Sequence, residues 1–145
     1  MIEEKKDIMS YIGNVDAICI TTNGVVRKCG RAVMGAGIAK LFKDNYRGID
    51  TVLGNQINIF GNIVQSIWKS KETLIFSFPT KNDWRCNSSI KLIEQSLKQL
   101  VKKTAMANSV VLPRPGCSNG KLNWETQVKP LCEKYLDDRF IIVSK

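Results

Sequence analysis

The chain reads as an α/β sandwich built on a largely parallel sheet. Three observations predict it. Short runs of β-branched and aromatic residues recur along the sequence, helical stripes of about 10 to 15 residues interleave with them, and two glycine-bearing loops each join a β-rich run to a helical pattern. Ligands in such folds sit beyond the carboxyl ends of the strands, so the loops that follow strands are where function is sought.

Taken in order, six runs predict strands: Val15 to Thr21, Ile57 to Phe60, Ile63 to Trp68, Leu74 to Phe78, Ser109 to Leu112 and Arg139 to Val143. Each is short and bounded by Gly, Pro, Asn, Lys or Asp, as strands usually are. Gly61-Asn62 offers a tight turn, which predicts a hairpin between the second and third runs. Three stripes predict helices. Met34, Ile38, Leu41, Phe42 and Asn45 keep a 3.6-residue spacing, all but the last apolar. Ile90, Ile93, Leu97, Leu100 and Val101 do the same, with Ser88 or Ser89 as N-cap and Lys102-Lys103 at the favourable end of the dipole. Trp124, Val128, Leu131, Cys132, Tyr135 and Leu136 form the third, capped by Asn123 with Glu125 in the first turn. Pro130 lies inside that stripe, so a kink or a late helix start is expected there.

A chain of 145 residues fits one domain, residues 1–145, with no repeat, low-complexity tract or linker interrupting it. No apolar stretch approaches the ~20 residues needed to cross a bilayer, and Met1-Ile2-Glu3-Glu4-Lys5-Lys6-Asp7 lacks the layout of a secretory signal. The expectation is a cytoplasmic protein without a membrane partner. The formal net charge of +9 favours anionic partners, although the basic residues are scattered rather than gathered in a run. Five cysteines, an odd number without any Cys-x-x-Cys, read as reduced thiols. No histidine is present, which removes a Ser-His-Asp or Cys-His mechanism, an imidazole base and the usual zinc sets. Any catalysis must use lysine, a carboxylate, bound water or the substrate itself.

The glycine loops suit a phosphorylated ligand. Met34-Gly35-Ala36-Gly37-Ile38-Ala39 opens a helical pattern, and Pro115-Gly116-Cys117-Ser118-Asn119-Gly120 precedes another. Glycines let backbone N–H groups approach phosphate oxygens, and a helix start adds unpaired donors with a positive dipole end. Either loop alone can equally be a packing device at a helix start. Between them in sequence lies Lys81, in Phe78-Pro79-Thr80-Lys81-Asn82-Asp83-Trp84-Arg85.

At these residues the chain resembles a macrodomain, the ADP-ribose-binding fold. The resemblance runs from Asp7 to the last strand and is most specific in Lys6-Asp7-Ile8, Asp16 to Asn23, Met34 to Ala39 and Leu112 to Cys117. Phe78-Pro79-Thr80-Lys81 with Trp84-Arg85 resembles the branch holding the terminal ADP-ribose glycohydrolase and the antitoxins that strip ADP-ribose from thymidine in DNA. The resemblance implies a three-layer α/β/α architecture around a mixed, mostly parallel sheet of about six strands. It implies ADP-ribose as ligand, no cofactor and no metal, ADP-ribosylated DNA or protein as substrate, and a monomer.

It also implies residue roles. Asp7 accepts a hydrogen bond from the adenine amino group with the Ile8 N–H reaching the ring; read by itself, Asp7 is equally an N-cap before Ile8. Asn23 lies near the distal ribose, where its local reading is a turn residue beside Gly24. Gly35 to Ile38 line the pyrophosphate and distal ribose, Gly116 to Gly120 close over the other side, and Thr80 belongs to the same site. Lys81 is the catalytic candidate. An ordinary lysine is only about 0.04% neutral at pH 7, so nucleophilic attack demands burial or a cationic neighbour, for which Arg85 is placed in sequence. A charged Lys81 can instead hold the leaving group or a phosphate. The protein-directed enzyme has an aspartate where this chain has Gly120, whereas the DNA-directed antitoxins tend to have glycine. That departure favours a DNA-linked acceptor, or assistance from the substrate's own groups, and leaves Asp83 as the nearest substitute carboxylate. Arg27, Lys28 and Arg31 lengthen the route into the first loop. The expected function is an ADP-ribosyl hydrolase dependent on Lys81; a non-catalytic reader and a phosphatase of ADP-ribose 1″-phosphate are the alternatives.

Overall fold

A computed structural model describes all 145 residues. The chain forms β1 (Ile2–Lys5), a 3-10 turn (Ile8–Tyr11), β2 (Ala17–Thr22), α1 (Gly37–Asn45), α2 (Ile49–Phe60), β3 (Gln65–Ser70), β4 (Thr73–Pro79), α3 (Ile90–Lys103), β5 (Val110–Pro113), a π turn (Trp124–Val128), α4 (Lys129–Tyr135) and β6 (Phe140–Ser144). One six-stranded sheet has the order β1-β6-β5-β2-β4-β3. All neighbours are parallel except β3, which runs antiparallel to β4.

Two apolar layers sandwich that sheet. Successive strand residues point to opposite faces, so β2 sends Ala17 and Cys19 to one core and Ile18 and Ile20 to the other. The first core packs β-strand residues against α3, the π turn and α4, using Ile93, Leu97, Leu100, Trp124, Val128 and Cys132. The second packs them against the 3-10 turn, α1 and α2, using Ile8, Phe42, Ile49 and Leu53. This is the three-layer, mostly parallel architecture expected above. Covering both faces is what allows parallel strands to be continuous apolar runs.

Local signals explain several boundaries. Ser89 caps α3, its Oγ accepting the Leu92 N–H at 3.2 Å, and Asn123 caps the π turn by accepting the Thr126 N–H at 2.9 Å. Pro130 falls in the first turn of α4, where its missing N–H has no intrahelical partner to lose. The late helix start expected from Pro130 is therefore found, after a five-residue π turn.

Three expectations need correction. Ile57 to Phe60 is not a strand but the end of α2, because Ile49 and Leu53 are buried and Ile57 packs on the same core at helical spacing. Helical burial overrides the β-branched propensity of the run. The hairpin around Gly61-Asn62 is accordingly absent. Gly61, at φ +90°, ends α2 by donating its N–H to Ile57 O at 2.8 Å. The actual hairpin joins β3 to β4 through Lys71-Glu72, both left-handed as a tight two-residue turn requires. Met34 precedes α1 instead of opening it, although its side chain is buried in the same layer. No helix is long and apolar enough to cross a membrane.

Candidate functional site

The carboxyl ends of β2, β4, β5 and β6 share one edge of the sheet, and a cleft of ≈ 930 Å³ opens there. Its lining includes Thr22 and Asn23 after β2, Thr80 and Lys81 after β4, Arg114 after β5 and Ser144 at the end of β6. Parallel pairing is the cause: it brings every strand-following loop to the same edge.

The first glycine loop enters α1 with Ala36 as N-cap and no side-chain cap hydrogen bond. The amides of Gly35, Ala36, Gly37 and Ile38 donate to no backbone acceptor. Gly37 is left-handed at φ +58°, which turns the chain into the helix while keeping those amides on the cleft. Across from them, the amides of Ser118, Asn119 and Gly120 are also without backbone acceptors. The two loops nearly touch: a Cβ on Gly37 would lie 3.2 Å from Asn119 Nδ2. Ile8 and Met34, 3% and 2% exposed, supply an apolar floor.

Lys81 is held at this junction. The Thr80 N–H donates to Thr22 O at 3.1 Å, carrying the β2–β4 ladder one residue further, and Asn62 Nδ2 donates to Lys81 O at 2.9 Å. The amine then donates to Asn119 O at 3.3 Å and Trp84 O at 3.5 Å. Lys81 therefore bridges its own loop to the second glycine loop.

The charge pattern of the cleft is one-sided. Lys6, Arg27, Lys81, Arg114 and Lys145 line it, and none of its 31 lining residues is aspartate or glutamate. A low-dielectric concavity lined by one sign of charge focuses the field on a counter-charged ligand. Arg114 is steadied by Glu3 at 3.7 Å and stacks 5.2 Å from the Trp124 ring. The Glu3 carboxyl is held below its usual range first by its hydrogen bond with Lys129 and also by Trp124, against the opposing effect of burial.

Cys117, also in the lining, is a poor nucleophile here, because burial pushes its thiol up to about 11. Gly116 and Gly120 hold their loop against α3. A Cβ on Gly120 would fall 2.1 Å from Ser88 Oγ and 2.5 Å from Gly116 O, so glycine at 120 is demanded by packing.

Most residues singled out from sequence converge on the cleft. Ile8, Asn23, Met34, Gly35, Ala36, Gly37, Ile38, Thr80, Lys81, Gly116, Cys117, Ser118, Asn119 and Gly120 all line it. Asp7 and Pro115 do not, though their neighbours do. Asp7 instead caps the 3-10 turn, accepting the Met9 N–H at 3.0 Å. Asn23 braces its loop, accepting the Val25 N–H at 2.9 Å and donating to Val33 O at 3.0 Å.

Two roles suggested by sequence are overturned. Arg85 is not a free cation beside Lys81, because it forms a two-point ion pair with Asp83 at 2.9 and 2.6 Å. For the same reason Asp83 is no ready acid. Its hydrogen bonds with Arg85, first from the side chain and then from the backbone, bring its carboxyl down to about 2.

Sequence reasoning missed Thr22 and gave Ser88 only a capping role. Both hydroxyls are buried in the lining without a hydrogen-bond partner. Nothing local distinguishes them, since their isolation arises from packing between loops distant in sequence.

No family model matches the chain. Among curated relatives, a DNA ADP-ribosyl glycohydrolase of Thermus aquaticus is 33% identical over 131 residues, covering 85% of this chain and 34% of that protein. One from Mycobacterium tuberculosis is 33% identical over 101 residues, covering 64% of this chain and 29% of that protein. The chain thus spans about a third of the length of the curated relatives it matches. The solved macrodomain of Thermus aquaticus DarG superposes with a TM-score of 0.79 at 26% identity, covering 99% of this chain and 97% of that one. Thermosipho africanus DarTG in complex with ADP-ribose gives 0.72 at 26% identity, covering 89% of this chain and 38% of that one. On these similarities the chain belongs to the macrodomain superfamily, on the branch that includes the macrodomains of the DNA ADP-ribosyl glycohydrolases.

Proposed function

We propose that the chain is an ADP-ribosyl hydrolase, which binds a terminal ADP-ribose in the cleft and cleaves the bond at its anomeric carbon. One observation carries the reading: the Lys81 amine stands at the point where both glycine loops meet, bound to Asn119 O opposite Gly37. The unpaired amides of the two loops suit a diphosphate, with the open α1 N-terminus adding a positive dipole end. The five lining cations and the absence of aspartate and glutamate favour the same dianionic group. Thr22 and Ser88 supply buried hydroxyls free to pair with ligand hydroxyls or a water, which would remove their unsatisfied state.

Hydrolysis breaks the bond between the anomeric carbon and the acceptor, adds a water oxygen to that carbon and delivers a proton to the leaving group. With Arg85 occupied by Asp83, the role of Lys81 best supported here is that of a cation. An ammonium has three donors and no acceptor, so two contacts to carbonyls leave one N–H for the departing group. The acceptor favoured is thymidine in DNA, on the names of the relatives and the net charge of +9. A second reading, an ADP-ribose binder without turnover, draws on the same lack of an aspartate or glutamate in the cleft.

The test uses purified protein and Lys81→Ala with thymidine-linked ADP-ribosyl DNA, glutamate-linked ADP-ribosyl protein and ADP-ribose 1″-phosphate. Release of ADP-ribose from the DNA, reduced at least a hundred-fold in the variant, is the expected outcome. Binding without release supports the second reading. A Lys81→Ala variant as active as the parent refutes the assigned role.

A further inference from the structure

The segment between β2 and the first glycine loop folds as a small hairpin on the cleft rim. Val26 bridges Ala32, the Arg27 N–H donates to Arg31 O at 2.9 Å, and the Gly30 N–H donates to Arg27 O at 2.9 Å. The hairpin is pressed onto α2, where Gly54 admits it: a Cβ there would lie 2.0 Å from Gly30 O. The Ala32 N–H also donates to Asp50 O at 2.9 Å. This fixed support presents Arg27, Lys28 and Arg31, all exposed, and none of them enters an ion pair.

The hairpin root is tied to the Lys81 loop. The Gly24 N–H donates to Asn82 O at 3.1 Å, and Asn62, which packs against Gly24, donates to Lys81 O at 2.9 Å. On that loop Trp84 is 50% exposed while lining the cleft. Arg85 lies over its ring at 5.5 Å, itself fixed by Asp83, which leaves one aromatic face to be covered. Three unpaired cations and an exposed indole therefore belong to the two segments that meet at the Lys81 backbone.

We propose that this rim grips the single-stranded nucleic acid to which the ADP-ribose is attached, with the hairpin cations on backbone phosphates and Trp84 stacked on a base next to the modified one. The inference rests on the hydrolase reading of the cleft. Unpaired lysines and arginines on a rigid support contribute sequence-independent affinity for phosphates. An exposed aromatic supplies a stacking platform that accepts any base. A single strand is the form required, because a base whose attached sugar must reach Lys81 has to lie outside the duplex stack. An acidic protein surface would satisfy the cations but offers nothing planar to Trp84.

The experiment compares a single-stranded oligonucleotide carrying one ADP-ribosylated thymidine with the ADP-ribosylated thymidine nucleoside alone. The variants are Lys28→Ser/Arg31→Ser and Trp84→Ala, each checked for an unchanged melting temperature. For the double variant, KM for the oligonucleotide is expected to rise about ten-fold, with nucleoside turnover unchanged. The slope of log KM against log salt is expected to fall by about 1.4, which is about 0.7 per phosphate contact. Trp84→Ala is expected to raise the oligonucleotide KM by about ten-fold as well. An oligonucleotide KM within two-fold of the parent and an unaltered salt slope overturn the proposal while leaving the hydrolase reading intact. A double variant impaired only on glutamate-linked ADP-ribosyl protein also overturns it, in favour of a protein surface. Failure of the parent protein to release ADP-ribose from the oligonucleotide, the nucleoside or the modified protein refutes the hydrolase reading itself.

Discussion

Substituting Gly37 tests the anion-binding geometry most sharply, because the structure separates three costs. Any side chain at φ +58° meets left-handed strain of about 1–2 kcal/mol, which acts on stability. A Cβ also lies 3.2 Å from Asn119 Nδ2, so the two loops must part by a few tenths of an ångström. Glutamate adds a charge among amides placed for an anion. A carboxylate about 5 Å from one diphosphate charge, at an effective dielectric of about 20, is repelled by about 3 kcal/mol, or about 200-fold in affinity. Calorimetric titration with ADP-ribose is therefore expected to show Gly37→Ala weakened several-fold, Gly37→Gln about ten-fold, and Gly37→Glu about 200-fold beyond glutamine. The increment between glutamine and glutamate should shrink as salt rises, since exposed charges are screened over about 10 Å at 0.1 M. Glutamate binding no more weakly than glutamine would refute the placement of the diphosphate at this loop.

Other outcomes follow from particular contacts. Asp7→Ala should cost about 1 kcal/mol of stability through the lost cap, and a denaturant midpoint unchanged from the parent would contradict that cap. Gly54→Ala should gain about 1 kcal/mol in helix propensity. It should lose more, by about 1–2 kcal/mol net, to the collision 2.0 Å from Gly30 O, lowering Tm by roughly 3–6 °C. An unchanged or raised Tm would contradict that packing. Asp83 titrates at about 2 in the folded chain against an ordinary 3.8, so its contribution is present above 3.8 and is lost as pH falls through about 2. Denaturant midpoints of Asp83→Asn should converge on those of the parent across that window, and a constant gap down to pH 2 would argue against the ion pair.

The parts of the site legible in sequence are those whose chemistry is local. Glycines before a helical stripe mark close backbone approach whatever the remainder of the fold, and Ser89 and Asn123 cap their turns through residues three positions away. Lys81 was placed at a strand end by its position after a β-rich run, whereas its singling out for chemistry came from the family resemblance. Arg85 was misread because its partner lies two residues back, and the choice between pairing with Asp83 and facing Lys81 depends on how the loop closes. Ile57 to Phe60 misled because β-branched residues were weighed without knowing that Ile49 and Leu53 would face a core. β1 left no signal at all: Ile2-Glu3-Glu4-Lys5 is exposed along its length and becomes a strand only by pairing with β6.

Alternation of strand and helix patterns, the absence of histidine, a strong positive charge and two glycine loops were properties of the chain alone. They set the fold class, removed imidazole chemistry and pointed to an anionic ligand. The three-dimensional arrangement decided the rest. Parallel pairing carried Thr22, Lys81, Arg114 and Ser144 to one edge, and packing placed Asn119 between Gly37 and the lysine amine. It also isolated the Thr22 and Ser88 hydroxyls and kept every aspartate and glutamate out of the cleft lining. Hydrogen bonds and charges act over a few ångströms, whereas these partners are separated by tens of residues, so only the closed chain determines which of them meet.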